Sequence, residues 1–219
     1  MEKSNEEFVY QKLKNAIIKR YIKQGTKLVE TSLAKQLKVS RTPVRGAIRR
    51  LAYEGFATYE TNKGACVIEP TSEEIQETFF VRTQLEKAAA RLAADNITGE
   101  QLEQLQALLE EEIRIFEDRD LDEYYRVNDA IHLIVARASG NAVLTRYIEE
   151  LLNRTKIYLI LYDPFFTMPM NPSIHEHQQV VESLKSGDPD AAEKAMAAHL
   201  DSAFEGMEIQ VLPEDYIAL

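Results

Sequence analysis

Three helical segments and then a β-hairpin occupy the first 70 residues, and few folds accept that order. Ser4 and Glu7 have capping-box spacing, and Val9, Leu13, Ala16, Ile17 and Tyr21 recur at helical period until Gly25 breaks it. A short second helix is expected over 31–38, with Leu33, Ala34 and Leu37 facing inward. Thr42 suits the N-cap and Pro43 the first position of a third helix, which runs to Glu54 and stops at Gly55. Two β-like runs, 56–60 and 65–69, flank a tip of Thr61, Asn62, Lys63 and Gly64. This is the order of a winged helix-turn-helix, and Pro70 closes the unit.

From Thr71 onward the apolar residues keep a helical period and no convincing strand appears. Thr71 with Glu74 opens a helix whose inner face is read as Ile75, Phe79, Leu85, Ala89 and Leu92. Thr98 with Gln101 opens the next, with Leu102, Leu105, Leu109, Ile113 and Phe116 inward. A third begins near Asp120 and ends at Ser139–Asn141, and a fourth covers 142–162. A proline-containing loop precedes a fifth over 175–185. Gly187, Asp188 and Pro189 supply stop, cap and start for a sixth over 189–209. The expected fold is mainly α: residues 1–70 as a winged helix-turn-helix of three helices and a hairpin, residues 71–219 as a six-helix antiparallel bundle.

Charge separates at the same boundary. The whole chain carries −10, which alone argues against nucleic acid. Residues 1–70 hold 14 Lys+Arg against 7 Asp+Glu (+7), and the remainder holds 12 against 29 (−17). A basic first third points to a polyanion-binding module. No apolar run approaches the roughly 20 residues of a membrane span. The charged N-terminus lacks an apolar signal core, so a cytoplasmic location and no membrane partner are expected. The single cysteine, Cys66, allows neither an intrachain disulfide nor a multi-cysteine metal site.

The segment 39–51 carries the most functional information. Arg41, Arg45 and Arg49 lie four residues apart and so share one helical face, while Val44, Ala47, Ile48 and Leu51 hold the other. A recognition helix needs this division: apolar anchors on one side, guanidinium groups reaching guanine or phosphate on the other. Thr42 and the free N–H groups at the helix start suit a phosphate. Lys63 and Gly64 at the hairpin tip suit the adjacent minor groove. The plainer reading is a solvated basic face, and the position of this helix in the helix-turn-helix order favours DNA. The stretch from Gly25-Thr-Lys-Leu-Val-Glu through Leu33-Ala34 and Ser40-Arg-Thr-Pro-Val-Arg to Asn62-Lys-Gly-Ala resembles the GntR family of bacterial regulators. Gly46 departs from it, because the family usually has Glu there. Glycine costs about 1 kcal/mol in a helix interior, and a different operator preference is expected.

The second part resembles the acid-sensing helical domain of the FadR-type branch, with six helices as in the VanR-like subgroup. The matching residues are Arg82 with Leu85-Glu86 and Ala89-Ala90, Asn128 with Ile131-His132, Ala138 to Asn141, His177 with Ser186 to Asp188, and Ala195-Met196 with His199-Leu200. The resemblance implies a homodimer and a pocket within the bundle. Of four histidines, His132, His177 and His199 lie on or beside apolar stripes, and Asn128 is one turn from His132. Three imidazoles converging in a bundle suit Zn²⁺, Ni²⁺ or another borderline divalent ion, whereas buried histidines satisfied by hydrogen bonds are the simpler alternative. By resemblance His132, His177 and His199 match the family's metal ligands. Asn128 stands where the family usually has Asp, which implies weaker metal binding or another metal. His175 is read as a loop histidine.

The resemblance further implies a small organic acid whose carboxylate meets the metal. Arg82 is the candidate to clamp it, against a structural salt bridge to Glu86. The whole chain thus reads as a regulator, in the family default a repressor, that binds palindromic double-stranded operator DNA as a dimer. The alternatives are a regulator whose effector is the ion itself, a purely structural metal, and a metal-dependent hydrolase. The last lacks an evident general base and leaves the basic module unexplained.

Overall fold

The computed structural model describes residues 5–60, 64–162, 165 and 168–207. Two compact units divide the chain, Met1–Thr71 and Ser72–Leu219. No described helix is long and apolar enough to cross a membrane.

The first unit contains α1 (Asn5–Ile18), α2 (Glu30–Leu37), α3 (Arg41–Tyr53), β1 (Ala57–Glu60) and β2 (Gly64–Val67). α3 packs against α1, α2 and β1 through its buried residues Val44, Ala47, Ile48 and Leu51. Side chains of the larger of these kinds contribute about 1.5–3 kcal/mol each when fully buried, so tertiary packing easily outweighs the helix cost of Gly46. The strands pair antiparallel from Ala57↔Val67 to Glu60↔Gly64. Residues 25–28 extend the sheet, since Leu28 N donates to Ala65 O (2.8 Å) and Val67 N to Thr26 O (2.9 Å). So short a segment shows no alternation in the sequence.

Several boundaries differ from the sequence reading. α1 ends at Ile18, with Arg20 in the left-handed region, so Tyr21 leaves the apolar stripe and is 82% exposed. The N-cap of α3 is Ser40, not Thr42, and Pro43 is the third helical residue. Proline is tolerated there because the first-turn N–H groups have no intrahelical acceptor.

The second unit comprises α4 (Ser72–Asn96), α5 (Gly99–Asp118), α6 (Leu121–Ala138), α7 (Ala142–Tyr162), α8 (Pro172–Ser186) and α9 (Pro189–Glu205). α4 is the central element and packs against α6, α7, α8 and α9. Its small residues Ala90, Ala93 and Ala94 join Leu105, Leu109, Val127, Ile131, Val180, Leu184, Met196 and Leu200 in the main core. The ends are chemically marked: Thr98 and Gln101 form a full capping box, Asp120, Asn171 and Asp188 accept from their first turns, and Gly187 closes α8 at φ 65°.

The expected inner faces of α4 and α5 need revision. Leu92 and Ile113 are 42% and 38% exposed. The inward positions belong instead to Arg82, Glu86 and Glu112, all buried. α8 begins three residues earlier than read, at Pro172 with Asn171 as cap, so His175 is helical rather than in a loop, although exposed. α9 ends at Glu205, short of the expected 209.

Candidate functional sites: an arginine face and a buried histidine cluster

On α3 the side opposite the buried residues is cationic. Arg41, Thr42, Arg45 and Arg49 are all exposed. Arg41 donates to Glu30 Oε2 at 3.1 Å, whereas Arg45 and Arg49 make no ion pair with a described residue. Arg50, at the edge of the face, is held by Glu7 (2.7 Å) and Glu54 (3.0 Å) over the ring of Tyr10. Gly64 is the exposed first residue of β2, with φ 86°, which suits glycine. Lys63 lies outside the described residues.

In the second unit three histidines from three helices meet: His132 on α6, His177 on α8 and His199 on α9. One ligand atom from each lies within 4.8 Å of the others, and all three rings are buried. Each Nδ1 faces a carboxylate. His132 Nδ1 is 2.5 Å from Glu86 Oε2, His177 Nδ1 is 2.9 and 3.0 Å from the two oxygens of Glu112, and His199 Nδ1 is 3.0 Å from Glu176 Oε2. An ionised carboxylate only accepts, so a neutral ring facing one carries its proton on Nδ1 and presents its lone pair at Nε2. His132 Nε2 and His199 Nε2 face one another at 3.3 Å. His177 Nε2 is buried without a hydrogen-bond partner among the described residues.

Such a cluster suits a cation. Lone pairs converging at short range repel, and an unsatisfied buried polar atom costs about 1–3 kcal/mol. Two nitrogens bound tetrahedrally at 2.0–2.1 Å would be roughly 3.3–3.4 Å apart, which agrees with the 3.3 Å separation. Tying the far ring nitrogen to a carboxylate fixes tautomer and orientation, as at known metal-binding histidines. The residues present therefore fit a borderline divalent ion held by His132, His177 and His199.

Electrostatics favour the neutral rings that such binding needs. Burial lowers His132 to about 4 against the pull of Glu86, with Arg82 and His177 adding to the lowering. Burial, aided by His177 and His132, lowers His199 to about 3 against Glu176. Burial pushes Glu86 up, but His132 and Arg82 outweigh it and hold it below the usual carboxylate range. Burial pushes Glu176 up, but hydrogen bonds from His199 and Ser202 and the nearby His199 and His177 together hold it below its ordinary value. The metal-stripped protein is therefore expected to keep full stability above pH 6.5. It should lose stability as pH falls from 6.5 toward 4, because the unfolded chain takes up protons that the folded one refuses. The slope is about 1.4 kcal/mol per pH unit for each such histidine. Urea melts across this range check it, and a flat profile would contradict neutral buried rings.

Arg82 is buried on α4. Its Nε donates to Glu86 Oε1 at 2.6 Å and its Nη1 to Thr155 Oγ1 at 2.9 Å. The salt bridge weighed as its alternative role is thus formed, and Glu86 links Arg82 to His132. Asn128, one turn before His132, is buried, with its amide 3.5 Å from Asp129 Oδ1, at the limit of a hydrogen bond. Asp129 pairs with Lys156 at 2.5 Å, and burial raises its carboxyl against Lys156 and Arg82. Sequence reasoning missed Glu112 and Glu176, and took Glu86 only as a partner for Arg82. Glu112 had a signal: with Leu105, Leu109 and Phe116 it completes a three-four spacing, so a carboxylate stood in the middle of an apolar stripe.

Both units match known families. Residues 5–67 match the model of bacterial regulatory proteins of the gntR family, and residues 77–202 match the FCD domain. The HTH-type transcriptional repressor RspR of Escherichia coli (strain K12) is 28% identical over 200 residues, covering 91% of this chain and 87% of the relative. A probable D-xylose utilization operon transcriptional repressor of Paenarthrobacter nicotinovorans is 30% identical over 176 residues, covering 80% of this chain and 76% of the relative. The solved structure of Escherichia coli McbR/YncC superposes with a TM-score of 0.62 at 26% identity, over 93% of this chain and 96% of that one. The chain belongs to the gntR family of bacterial regulatory proteins, in the branch that carries an FCD domain. It is a DNA-binding transcription regulator and not an enzyme.

Proposed function

We propose that this regulator binds a palindromic operator as a homodimer and is controlled by a small organic acid bound at a metal ion among His132, His177 and His199. The observation that carries the metal is the convergence of three Nε2 lone pairs, each ring fixed from behind by Glu86, Glu112 or Glu176. A bound divalent ion would supply positive charge and open positions for a carboxylate. Zn²⁺ and Ni²⁺ both suit imidazole. Asn128 is the candidate neutral fourth ligand, and Arg82 the buried cation nearest the pair of Glu86 and His132. Arg41, Thr42, Arg45, Arg49, Lys63 and Gly64 form the proposed DNA contact set. Exposed apolar residues on α4 (Phe80, Val81) and α7 (Val143, Tyr147) are compatible with dimerisation. An effector acts only by binding one arrangement of the dimer better than another.

A second reading has one observation in its favour. Arg82 is already neutralised by Glu86 at 2.6 Å, which leaves it less available to an incoming carboxylate. The ion itself is then the effector. A thermal-shift screen of purified protein against small organic acids, before and after metal removal, separates the two. One acid that stabilises only the metal-loaded protein supports the acid sensor. Stabilisation by metal with no response to any acid removes the acid from the proposal. In that event, operator binding measured with and without metal distinguishes a metal sensor from a structural site.

A further inference from the structure

Glu6 belongs to α1, yet its carboxylate touches the arginine-bearing helix. A Cβ placed on Gly46 would lie 2.2 Å from Glu6 Oε2 and 2.4 Å from its Cδ, so the carboxylate fills the volume of any side chain at that position. Gly46 sits inside α3 without a positive φ, so its backbone does not require glycine. What glycine permits there is the close approach of Glu6. On the helix surface the neighbours of position 46 are Thr42, Pro43, Arg49 and Arg50, three and four residues away. Arg50 already has Glu7 and Glu54 as partners. Glu6 is exposed and makes no ion pair with a described residue.

A lone carboxylate on a cationic face weakens attraction to phosphate, so its use must be selective. In the major groove a carboxylate accepts from the N4 amino group of cytosine and is repelled by O6 and N7 of guanine. Adenine offers an amino group beside the acceptor N7 and suits it less. We propose that Glu6 is a specificity-determining residue: seated in the notch left by Gly46, it selects cytosine at one position of each half-site, beside the bases read by Arg45 and Arg49. This rests on the reading that α3 enters the major groove.

The test is selection from a pool of fully randomised DNA duplexes by full-length wild type, Glu6→Ala, Glu6→Gln, Gly46→Ala and Arg45→Ala, followed by sequencing. Gly46→Ala evicts the carboxylate while improving helix propensity, so a misfolded protein does not explain its effect. Wild type is expected to enrich cytosine about tenfold at one symmetric position. Glu6→Ala and Gly46→Ala should lose that preference alone, and Glu6→Gln should move it toward adenine, which an amide pairs with at N6 and N7. Unchanged base preferences in Glu6→Ala and Gly46→Ala, or a uniform gain in affinity for all duplexes, overturn the proposal while leaving α3 as the reading helix. If Arg45→Ala selects the same sequences as wild type, the placement of α3 fails first and the role of Glu6 with it.

Discussion

Zinc added to the metal-stripped protein is expected to raise its melting temperature by about 5–10 °C, and His177→Ala is expected to remove that response. At a hundredfold excess over Kd, a ligand stabilises the folded state by about 2.7 kcal/mol. In a domain of this size each kcal/mol moves the melting temperature by about 2–4 °C. His177 is the informative position because its Nε2 is buried without a partner among the described residues, while Glu112 holds its other nitrogen with both oxygens. Removing the ring also leaves Glu112 buried without its donor, so the metal-free variant should melt earlier than wild type. The zinc-induced difference, not the absolute temperature, is therefore the quantity to compare. Glu112→Gln keeps the ligand but weakens its orientation, and a 10- to 100-fold loss of metal affinity is expected there. A full zinc response in His177→Ala would show that the three rings do not act together.

Arg45→Ala should weaken specific operator binding at least about thirtyfold and leave the thermal unfolding of the protein unchanged. Arg45 is exposed at the centre of the row, with no ion pair to a described residue, and Val44 and Ala47 beside it hold the helix to its core. Arg41 differs, since Glu30 holds it at 3.1 Å and its loss should cost less. A bidentate arginine–guanine contact is worth about 1–3 kcal/mol per half-site, so a dimer on a palindrome loses roughly 2–6 kcal/mol. Fluorescence anisotropy on a selected operator duplex at fixed salt measures it. Unchanged affinity in this variant would sink the assignment of α3 as the reading helix.

Much of this was legible locally. Helix period, the Thr98–Gln101 box, the Gly187-Asp188-Pro189 junction and the charge swing at residue 70 depend on residues near one another in the chain. Short-range sterics and hydrogen bonds decide them wherever the chain folds. The arginine row on α3 is of the same kind, because four-residue spacing on any helix yields one face. The errors came where a local backbone turn or tertiary packing overrides the apolar period. Tyr21 kept the period, but Arg20 had already turned the chain out of the helix. Ile113 and Leu92 look like core residues, yet the stripe through Leu105, Leu109 and Phe116 passes through Glu112, and the one through Ile75 and Phe79 passes through Arg82 and Glu86.

The mainly helical class of fold, the change of charge at residue 70 and the candidacy of His132, His177 and His199 were all readable from the chain alone. Only the tertiary structure decided that Glu86, Glu112 and Glu176 each back one of those rings, that Arg82 is bound to Glu86, and that Glu6 fills the space above Gly46. The reason is physical. Each of these pairings joins residues on different helices or opposes a carboxylate to a buried partner. Burial, which makes an unpaired charge or lone pair costly, is a property of the packed bundle and not of any stretch of chain.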